Sequence, residues 1–592
     1  MTTHYISEVE VKEKLNQMRT EPYWWEAPDK AYQEMEQVVG NRWISKDKVA
    51  RQAYYSRGYG FELVTYLGVC YPPCIVVLPK TTEEVADIVK LCNKHNLPFV
   101  PMSSGWIVQA TPRFRSDMVL IDLQRMYEWE MDSDNMTITV GPGVRYGHHC
   151  QACLEYGLWF INTGGGSGSC VIANTLNYGV SPLNYRMGNA ERRAMGMEWV
   201  TPEGEIVHSG SWAQGEKGFW GDGPGPNLMG ILRGGNTWFG GVGIVTKMSF
   251  KAFSFLENSM EALVPEGITP DTYLSFKDLD RIRWINFQFP DRESMEQCAI
   301  ELSHAQIGAA WTKVPVFWRY LATSKSKENF WEQWNAVKKE DVDNFHLFRG
   351  LFVGYTSKKQ MEYEYKICED LMKKYGGKER RTKPSDASWI KNTDANGMWM
   401  MTSGYITTDG GQESLQTVFN TGKILGDLLQ NKYDSYFLPE KGDVGWWQSN
   451  DYGHSAYLEF MLYQNVDHWD PLSPFFDPEV REKGMEWSIQ VVPDVDGQTG
   501  MYNFFGGLQH PLIYTGTQRS DFQVWIDRFK DEFDPNQVSN PPAPYEIEKM
   551  LELLPSDMLP KVRSVIARAK RGKSVSGKTI SSGPLTNLRE KK

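Results

Sequence analysis

CIVVLPKTTEEVADIVKLCNKHNLPFVPMSSG, residues 74–105, is the stretch on which the fold turns. Ile75 to Leu78 is a short run rich in β-branched residues, suited to a buried strand. Thr81 or Thr82 then caps a helix that carries Glu83 and Glu84 in its first turn, where acidic side chains favour the orphan N–H groups. A second strand from Phe99 to Pro101 ends at Gly105. The expectation is a compact βαβ unit that delivers a polar loop, Met102, Ser103, Ser104 and Gly105.

Working outward, MVLIDL (118–123), MTITVGPGV (136–144) and GMEWVTPEGEIV (196–207) add strands punctuated by turn residues, with a helix from Tyr146 to Tyr156 between two of them. This lobe is expected to end near Phe250. From about 255 to 500, strand and helix alternate again. FHLFRGLFVGYT followed by SKKQMEYEYKICEDLMKKYG, and the strands SAYLEFMLYQ and MEWSIQVVP, predict an antiparallel sheet roofed by helices and duplicated. SDFQVWIDRFKDEFDPNQVSNPPAP reads as a helix stopped by Pro535 that returns to the first lobe. Residues 1–65 read as a helical lead-in with an aromatic patch, Tyr23, Trp24 and Trp25.

A chain of 592 residues exceeds one ordinary core, so packed lobes with a site between them are expected. Hydrophobic residues at 41% and charged residues at 23% are globular usage, and no stretch approaches the ~18–20 apolar residues of a membrane span. The N-terminal MTTHYISEVEVKEKL lacks an apolar signal region, which predicts a cytoplasmic location. A net charge of −11 argues against nucleic acid as a partner. The tail departs from that acidity: Lys561, Arg563, Arg568, Lys570, Arg571, Lys573, Lys578, Arg589, Lys591 and Lys592 face only Glu590. Such a segment is either a solvated tail or a docking arm for an acidic partner subunit, for instance an electron-acceptor protein. A homo-oligomer is also expected.

Eight cysteines in so long a chain suggest reduced thiols rather than a disulfide scaffold. His148, His149, Cys150 and Cys153 resemble a metal cluster, but they share a helical stretch and lack the second CxxC of a zinc module, so helix packing is expected and no metal. The 22 tryptophans, 28 tyrosines and 27 phenylalanines would suit an aromatic-lined cavity for a flat cofactor, although core packing accounts for most of them.

The strongest local signal is LWFINTGGGSGSCVIANTLNYGV, residues 158–180, in which Gly164, Gly165, Gly166, Ser167 and Gly168 open a possible helix. Glycines let backbone N–H groups approach a pyrophosphate. The same run is also compatible with a plain flexible turn. No GxGxxG follows the first strand with an acid about 20 residues on, so a Rossmann site is not supported.

Taken in order, residues 74–105, VLIDL, TITVGPGV, GLWFINTGGGSG, NYGVSPLNYRMGNAERRAMGMEWVTPEGE, GGVGIVTK and FDPNQVSNP resemble the FAD-linked oxidoreductases of the vanillyl-alcohol oxidase and 4-cresol dehydrogenase group. The resemblance covers most of residues 65–250 plus the FDPN segment. It implies an α+β fold: a two-subdomain FAD-binding lobe of the p-cresol methylhydroxylase type (66–255) and an α+β cap, or substrate, lobe with an antiparallel sheet (256–500). A lead-in (1–65), a returning segment (501–545) and the basic tail (546–592) complete the division.

The resemblance further implies that Met102 to Gly105 and Gly164 to Gly168 wrap the FAD diphosphate, with Asn174 beside the second loop and Gly243 and Ile244 at the adenine end or the flavin ring. The first loop departs from the family, running directly from SSG into WIVQATPR with Trp106 where a flexible residue is usual. Relatives that anchor flavin through a histidine there therefore have no counterpart in this chain. Ala456 to Phe460 align with the segment that carries a covalent flavin link in phenol-oxidising relatives. This makes Tyr457 the candidate anchor and His454 its competitor, against the alternative of an ordinary packed strand tyrosine. Where relatives fix a phenolate with a Tyr-Arg pair, this chain offers Tyr502 and Asn503, with Trp106 nearby, and loss of the arginine removes the charge favouring a phenolate. The relatives' acid before the second glycine loop is Asn162, which cannot act as a base.

The implied function is oxidation of a small aromatic or allylic alcohol or alkyl-substituted substrate by hydride transfer to FAD, with electrons passed to a protein acceptor or oxygen. Two alternatives stay open. A 2-hydroxy-acid dehydrogenase of the glycolate or D-lactate type would normally show a GDGNxH strand, whereas this chain has VDGQTGMYN without the histidine. A flavin-bearing electron-transfer subunit would leave catalysis elsewhere.

Overall fold

The computed structural model describes residues 24–54, 71–105, 116–161, 167–176, 179–210, 241–255, 280–380, 407–433, 441–462 and 522–540, with short pieces between them. Among the described residues the first lobe holds two larger sheets and a two-stranded ribbon of Leu158–Trp159 with Phe253–Ser254. In the first, β1 (Ile44–Ser45), β2 (Ile75–Val77), β3 (Phe99–Met102) and β4 (Val119–Asp122) lie in the order β1-β2-β4-β3. The helix α1 (Asp29–Val39) and the helix α2 (Thr82–Lys94) pack on it. Thr81 caps α2 by accepting from the Glu84 amide, as the threonine-glutamate pattern predicts.

The two strands of the βαβ unit run parallel in this sheet, with a third strand inserted between them. β2 and β3 are not neighbours, because β4 lies between them and pairs in parallel with both. All four residues of β4 are buried, so this central place gives an apolar strand cover on both faces.

The second sheet runs β5 (Trp129–Asp132), β6 (Thr137–Val140), β9 (Ile244–Lys251), β7 (Ala194–Val200), β8 (Ile206–His208), with every pairing antiparallel. The helix α3 (Tyr146–Glu155) and the short helices α4 (Val171–Leu176) and α5 (Asn184–Met187) pack against it. α3 is the helix that holds the histidine-cysteine cluster. His149, Cys150 and Cys153 are buried in it, and His148 is exposed.

The second lobe is one antiparallel sheet. Its strands are β10 (Ile282–Gln288), β11 (Ala310–Val314), β12 (Leu347–Val353), β13 (Lys378–Arg380), β14 (Thr407–Glu413), β15 (Trp446–Asn450) and β16 (Ser455–Leu462), in the order β13-β10-β12-β11-β15-β16-β14. Three helices recur between strands, α6 (Arg292–Ala305), α7 (Lys358–Lys374) and α8 (Leu415–Lys432). Each starts on a side-chain cap, Asp291, Ser357 or Ser414.

Strand alternation assigns the two faces. Phe287, Trp311, Phe348, Phe352, Trp447, Leu458 and Phe460 form one apolar core with the three helices. Complete burial of such side chains contributes about 1.5–3 kcal/mol each. Gly350 belongs to this face: a Cβ there would lie 2.3 Å from the Trp311 ring, so the indole occupies the space a side chain would need. The opposite face turns to the first lobe. Ala310, Leu351 and Val353 share a core with Trp159, Ile161 and Met197.

The chain then comes back. Helix α9 (Phe522–Phe533) leads into Asp534, and the Phe99 amide bonds the Val538 carbonyl at 2.7 Å while the Asn540 amide bonds the Phe99 carbonyl at 2.7 Å. Lys530 is buried and donates to the Gly241 and Ser539 carbonyls and to Asp534. No helix among the described residues is long and apolar enough to cross a membrane.

Candidate functional site

The first loop leaves β3 at Met102, and Gly105 ends it with φ +62°, a left-handed conformation that glycine adopts without strain. The second loop is described from Ser167. Its carbonyls turn back onto the start of α3, where the Tyr146 amide bonds the Ser169 carbonyl at 2.9 Å and the Gly147 amide bonds the Ser167 carbonyl at 3.0 Å. The Tyr146 hydroxyl donates to Asn174 Oδ1 at 2.9 Å, tying α3 to α4.

The two loops meet at Cys170, whose thiol lies against the Ser103 and Ser104 hydroxyls. Burial raises the pKa of that thiol, and the serine hydrogen bonds oppose the shift. Among the described residues, the main-chain N–H groups of Ser103, Gly105 and Gly168 have no protein acceptor. Orphan amides collected at two adjoining loops are the donor set that a diphosphate takes, so these residues fit the dinucleotide that the sequence implied.

The other predicted residues are placed as follows. Gly243 has φ +104°, its N–H bonds Ser539 Oγ at 2.9 Å, and a Cβ on it would lie 2.2 Å from the Val200 carbonyl oxygen. Ile244 begins β9 beside it. His454 is exposed at the hairpin between β15 and β16. Tyr457 is buried in β16 and packs edge-on against Trp446, with ring centroids 5.8 Å apart. Trp106, Asn162, Gly164, Gly165, Gly166, Tyr502 and Asn503 lie outside the described residues, as do the strand at 485–493 and the basic tail.

The face of the cap sheet turned to the first lobe carries a row of polar side chains in cross-strand register. Gln412 opposes Tyr457, Tyr457 opposes Gln448, Gln448 opposes Thr312, Thr312 opposes Arg349, and Arg349 opposes Asn286. Gln448 is fully buried and reaches across the seam, its Nε2 bonding the Ser181 carbonyl at 2.6 Å. Val180, the residue before, packs on Trp446 and Tyr457, and Trp318 closes the group from the helix Val316–Thr323. The lobes are therefore joined at this row.

Glu459 stands on the same face, two residues beyond Tyr457. The Tyr457 hydroxyl donates to its Oε2 at 3.1 Å. Burial pushes the Glu459 pKa up to about 7, the tyrosine hydrogen bond opposes the shift, and no cation among the described residues acts on the group. Although set deep among protein groups, Glu459 keeps some accessible surface.

Sequence reading missed Glu459, Gln448 and Trp446. The period-two alternation in WWQSN and SAYLEF puts all three on one face, but a polar strand face is ordinarily a solvent face. No group of three or more potential metal ligands occurs among the described residues.

Comparison with known proteins matches residues 73–210 to the family model described as an FAD binding domain. The chain is 26% identical over 196 residues to a probable mitochondrial D-lactate dehydrogenase of Danio rerio, covering 33% of this chain and 38% of that protein. It is 26% identical over 231 residues to the 4-cresol dehydrogenase [hydroxylating] flavoprotein subunit of Pseudomonas putida, covering 38% and 42%. The chain thus spans about two fifths of the length of these curated relatives. The crystal structure of p-cresol methylhydroxylase with substrate bound superposes with a TM-score of 0.66 at 16% identity, over 87% of this chain and 96% of that one. The resemblance read from the sequence holds for the FAD binding domain, which assigns FAD as the cofactor, and for the fold as a whole.

Proposed function

From an FAD binding domain carried in the fold of p-cresol methylhydroxylase, we propose that this chain is an FAD-dependent oxidoreductase acting on a small, neutral aromatic or allylic alcohol or alkyl-substituted substrate. The observation that carries the substrate class is the seam at Glu459, where a deep carboxylate, on which no cation among the described residues acts, lies beside Trp446, Tyr457 and Trp318. Aromatic walls suit a flat apolar body, and a carboxylate suits a hydroxyl donor.

Ser103, Gly105 and Gly168 would hold the FAD diphosphate, and FAD supplies the oxidising equivalent. Tyr457 and the seam residues orient the substrate and exclude water. Tyr457 is also the proposed covalent anchor, and a protein electron acceptor docking through the basic tail is proposed on the charge of that segment.

The second reading, a 2-hydroxy-acid dehydrogenase, is favoured by the relative named a D-lactate dehydrogenase. A substrate carboxylate within ~4 Å of ionised Glu459 would cost about 4 kcal/mol at an effective dielectric constant of ~20, which weighs against it. The third, an electron-transfer subunit, rests on the relative named a flavoprotein subunit. Anaerobic titration of the FAD-loaded protein separates the three. Benzylic or allylic alcohols or alkylphenols should bleach the flavin absorbance. Bleaching by D-lactate or glycolate alone would favour the second reading, and a flavin that no substrate bleaches would favour the third.

A further inference from the structure

We propose that Glu459 is a catalytic residue, the group that takes the hydroxyl proton of the substrate as its carbon is oxidised. The inference rests on the functional reading above and extends it to a residue of the cap sheet.

Four observations support it. First, Glu459 projects from β16 on the face turned to the FAD-binding lobe, the face from which Gln448 bonds Ser181 and on which Val180 packs. Second, its two cross-strand neighbours differ: Trp446, an aromatic surface, opposes it on β15, and Gly410, which has no side chain, opposes it on β14. Third, among the described residues the sole hydrogen-bond partner of the carboxyl group is the Tyr457 hydroxyl on Oε2, so Oε1 keeps its acceptor capacity. Fourth, the group combines deep burial with remaining accessible surface and is poised to change protonation near neutral pH, the range in which a general base works best.

The alternative is a structural acid that fastens β16. Among the described residues Glu459 has no cation to pair with and only one hydrogen bond, so as a fastener it would incur the cost of desolvating a carboxylate for little return. Gln448, Thr312 and the sheet ladders already hold that face.

The step balances. The alcohol O–H bond breaks and its proton goes to a Glu459 carboxylate oxygen. The C–H bond breaks with its electron pair and the carbon-oxygen bond becomes double; FAD, when bound, would supply the oxidant that accepts those two electrons with that hydrogen. Where FAD is held without a bond to Tyr457, the Tyr457 hydroxyl, donating to Oε2, steadies the carboxylate before the proton arrives.

The test uses the FAD-loaded full chain, benzyl alcohol and cinnamyl alcohol, and the variants E459Q and E459D. In the wild type, kcat/KM should rise with pH through an ionisation near 7. E459Q should lose that limb and about 10²–10⁴-fold in kcat while KM stays within a few-fold, and E459D should keep the limb. Independently of turnover, infrared difference spectra should show a protonated-carboxyl band that titrates over the same range and is missing from E459Q.

The inference alone is overturned if the wild type oxidises an alcohol and E459Q keeps both its rate and its limb, or if the titrating band survives in E459Q. Rise of KM with unchanged kcat would also overturn it, making Glu459 a binding residue only. If no benzylic or allylic alcohol reduces the wild-type flavin, the functional reading fails, and the inference with it.

Discussion

Replacing His149 by leucine should make the FAD-binding lobe tolerate acid better than the wild type. His149 is fully buried in α3, stacked on Phe160 with centroids 4.2 Å apart, and neither ring nitrogen has a hydrogen-bond partner. Burial, with the Arg193 charge adding to it, lowers its pKa to about 3 from an ordinary 6.5. Between those values the folded protein keeps the ring neutral while the unfolded chain protonates it. Because the folded pKa is depressed, the stability tied to this group is complete above pH 6.5 and falls as the pH drops toward 3, at about 1.4 kcal/mol per unit. At about pH 5, some 1.5 units below the unfolded value, the wild type has therefore lost about 2 kcal/mol that His149→Leu does not lose.

Near pH 7.5 the substitution gives up a stacking contact of about 0.5–1.5 kcal/mol but relieves an unsatisfied buried polar group costing about 1–3 kcal/mol. The variant should thus be near neutral or slightly stabilised there. Native-state hydrogen exchange of the α3 amides reads the difference locally, without requiring the whole two-lobed chain to unfold in one step. Intrinsic exchange rates cancel in the ratio of wild type to variant at each pH. That ratio should grow by about 30-fold between about pH 7.5 and about pH 5. A ratio that stays level would mean that His149 is protonated or hydrogen-bonded in the folded protein, and the argument would fail.

Gly350→Ala should destabilise the cap by about 1–3 kcal/mol, since its Cβ would sit 2.3 Å from the buried Trp311 ring, and the loss should appear as a lower urea midpoint without a change in flavin content. If Tyr457 anchors FAD, acid precipitation should leave the flavin in the pellet for the wild type and release it from Tyr457→Phe; retention in both variants would move the anchor elsewhere, to His454 first. An ether at Tyr457 would also remove the hydrogen bond that opposes the upward shift of Glu459, so the pH limb should move higher with covalent loading.

Much of the fold was legible because local signals agreed with one another. A cap at Thr81 or Thr82, the acids behind it and strands from Ile75 to Leu78 and Phe99 to Pro101 follow from side-chain chemistry within a few residues, and the structure settles the cap on Thr81 and moves each strand end by one residue. What local chemistry does not encode is the order of strands. β4 enters between β2 and β3 because its four consecutive buried residues need cover on both faces, a requirement met only when the whole sheet is assembled. The return of the C-terminal segment was readable from the proline stop. The means by which it is held, Lys530 donating to the Gly241 and Ser539 carbonyls and Ser539 bonding Gly243, connects residues nearly 300 positions apart and leaves no periodic trace.

The same limit explains why Glu459 escaped notice while the His149 cluster drew attention. A run of histidines and cysteines is conspicuous in one dimension, yet its buried members line no space. His149 has no accessible surface, so its missing partners are a cost that the fold carries. Glu459 looks ordinary in the sequence, one polar residue alternating with Leu458 and Phe460 as on any half-exposed strand. Docking the two lobes covers that polar face, and the cover takes the carboxylate out of water without supplying a cation from the described residues. An acid left short of partners and still reachable is in a state that a bound hydroxyl would relieve, whereas an unsatisfied group sealed in a core can be relieved only by unfolding. Accessibility, rather than the size of a pKa shift, is what distinguishes a site from a structural cost in this chain.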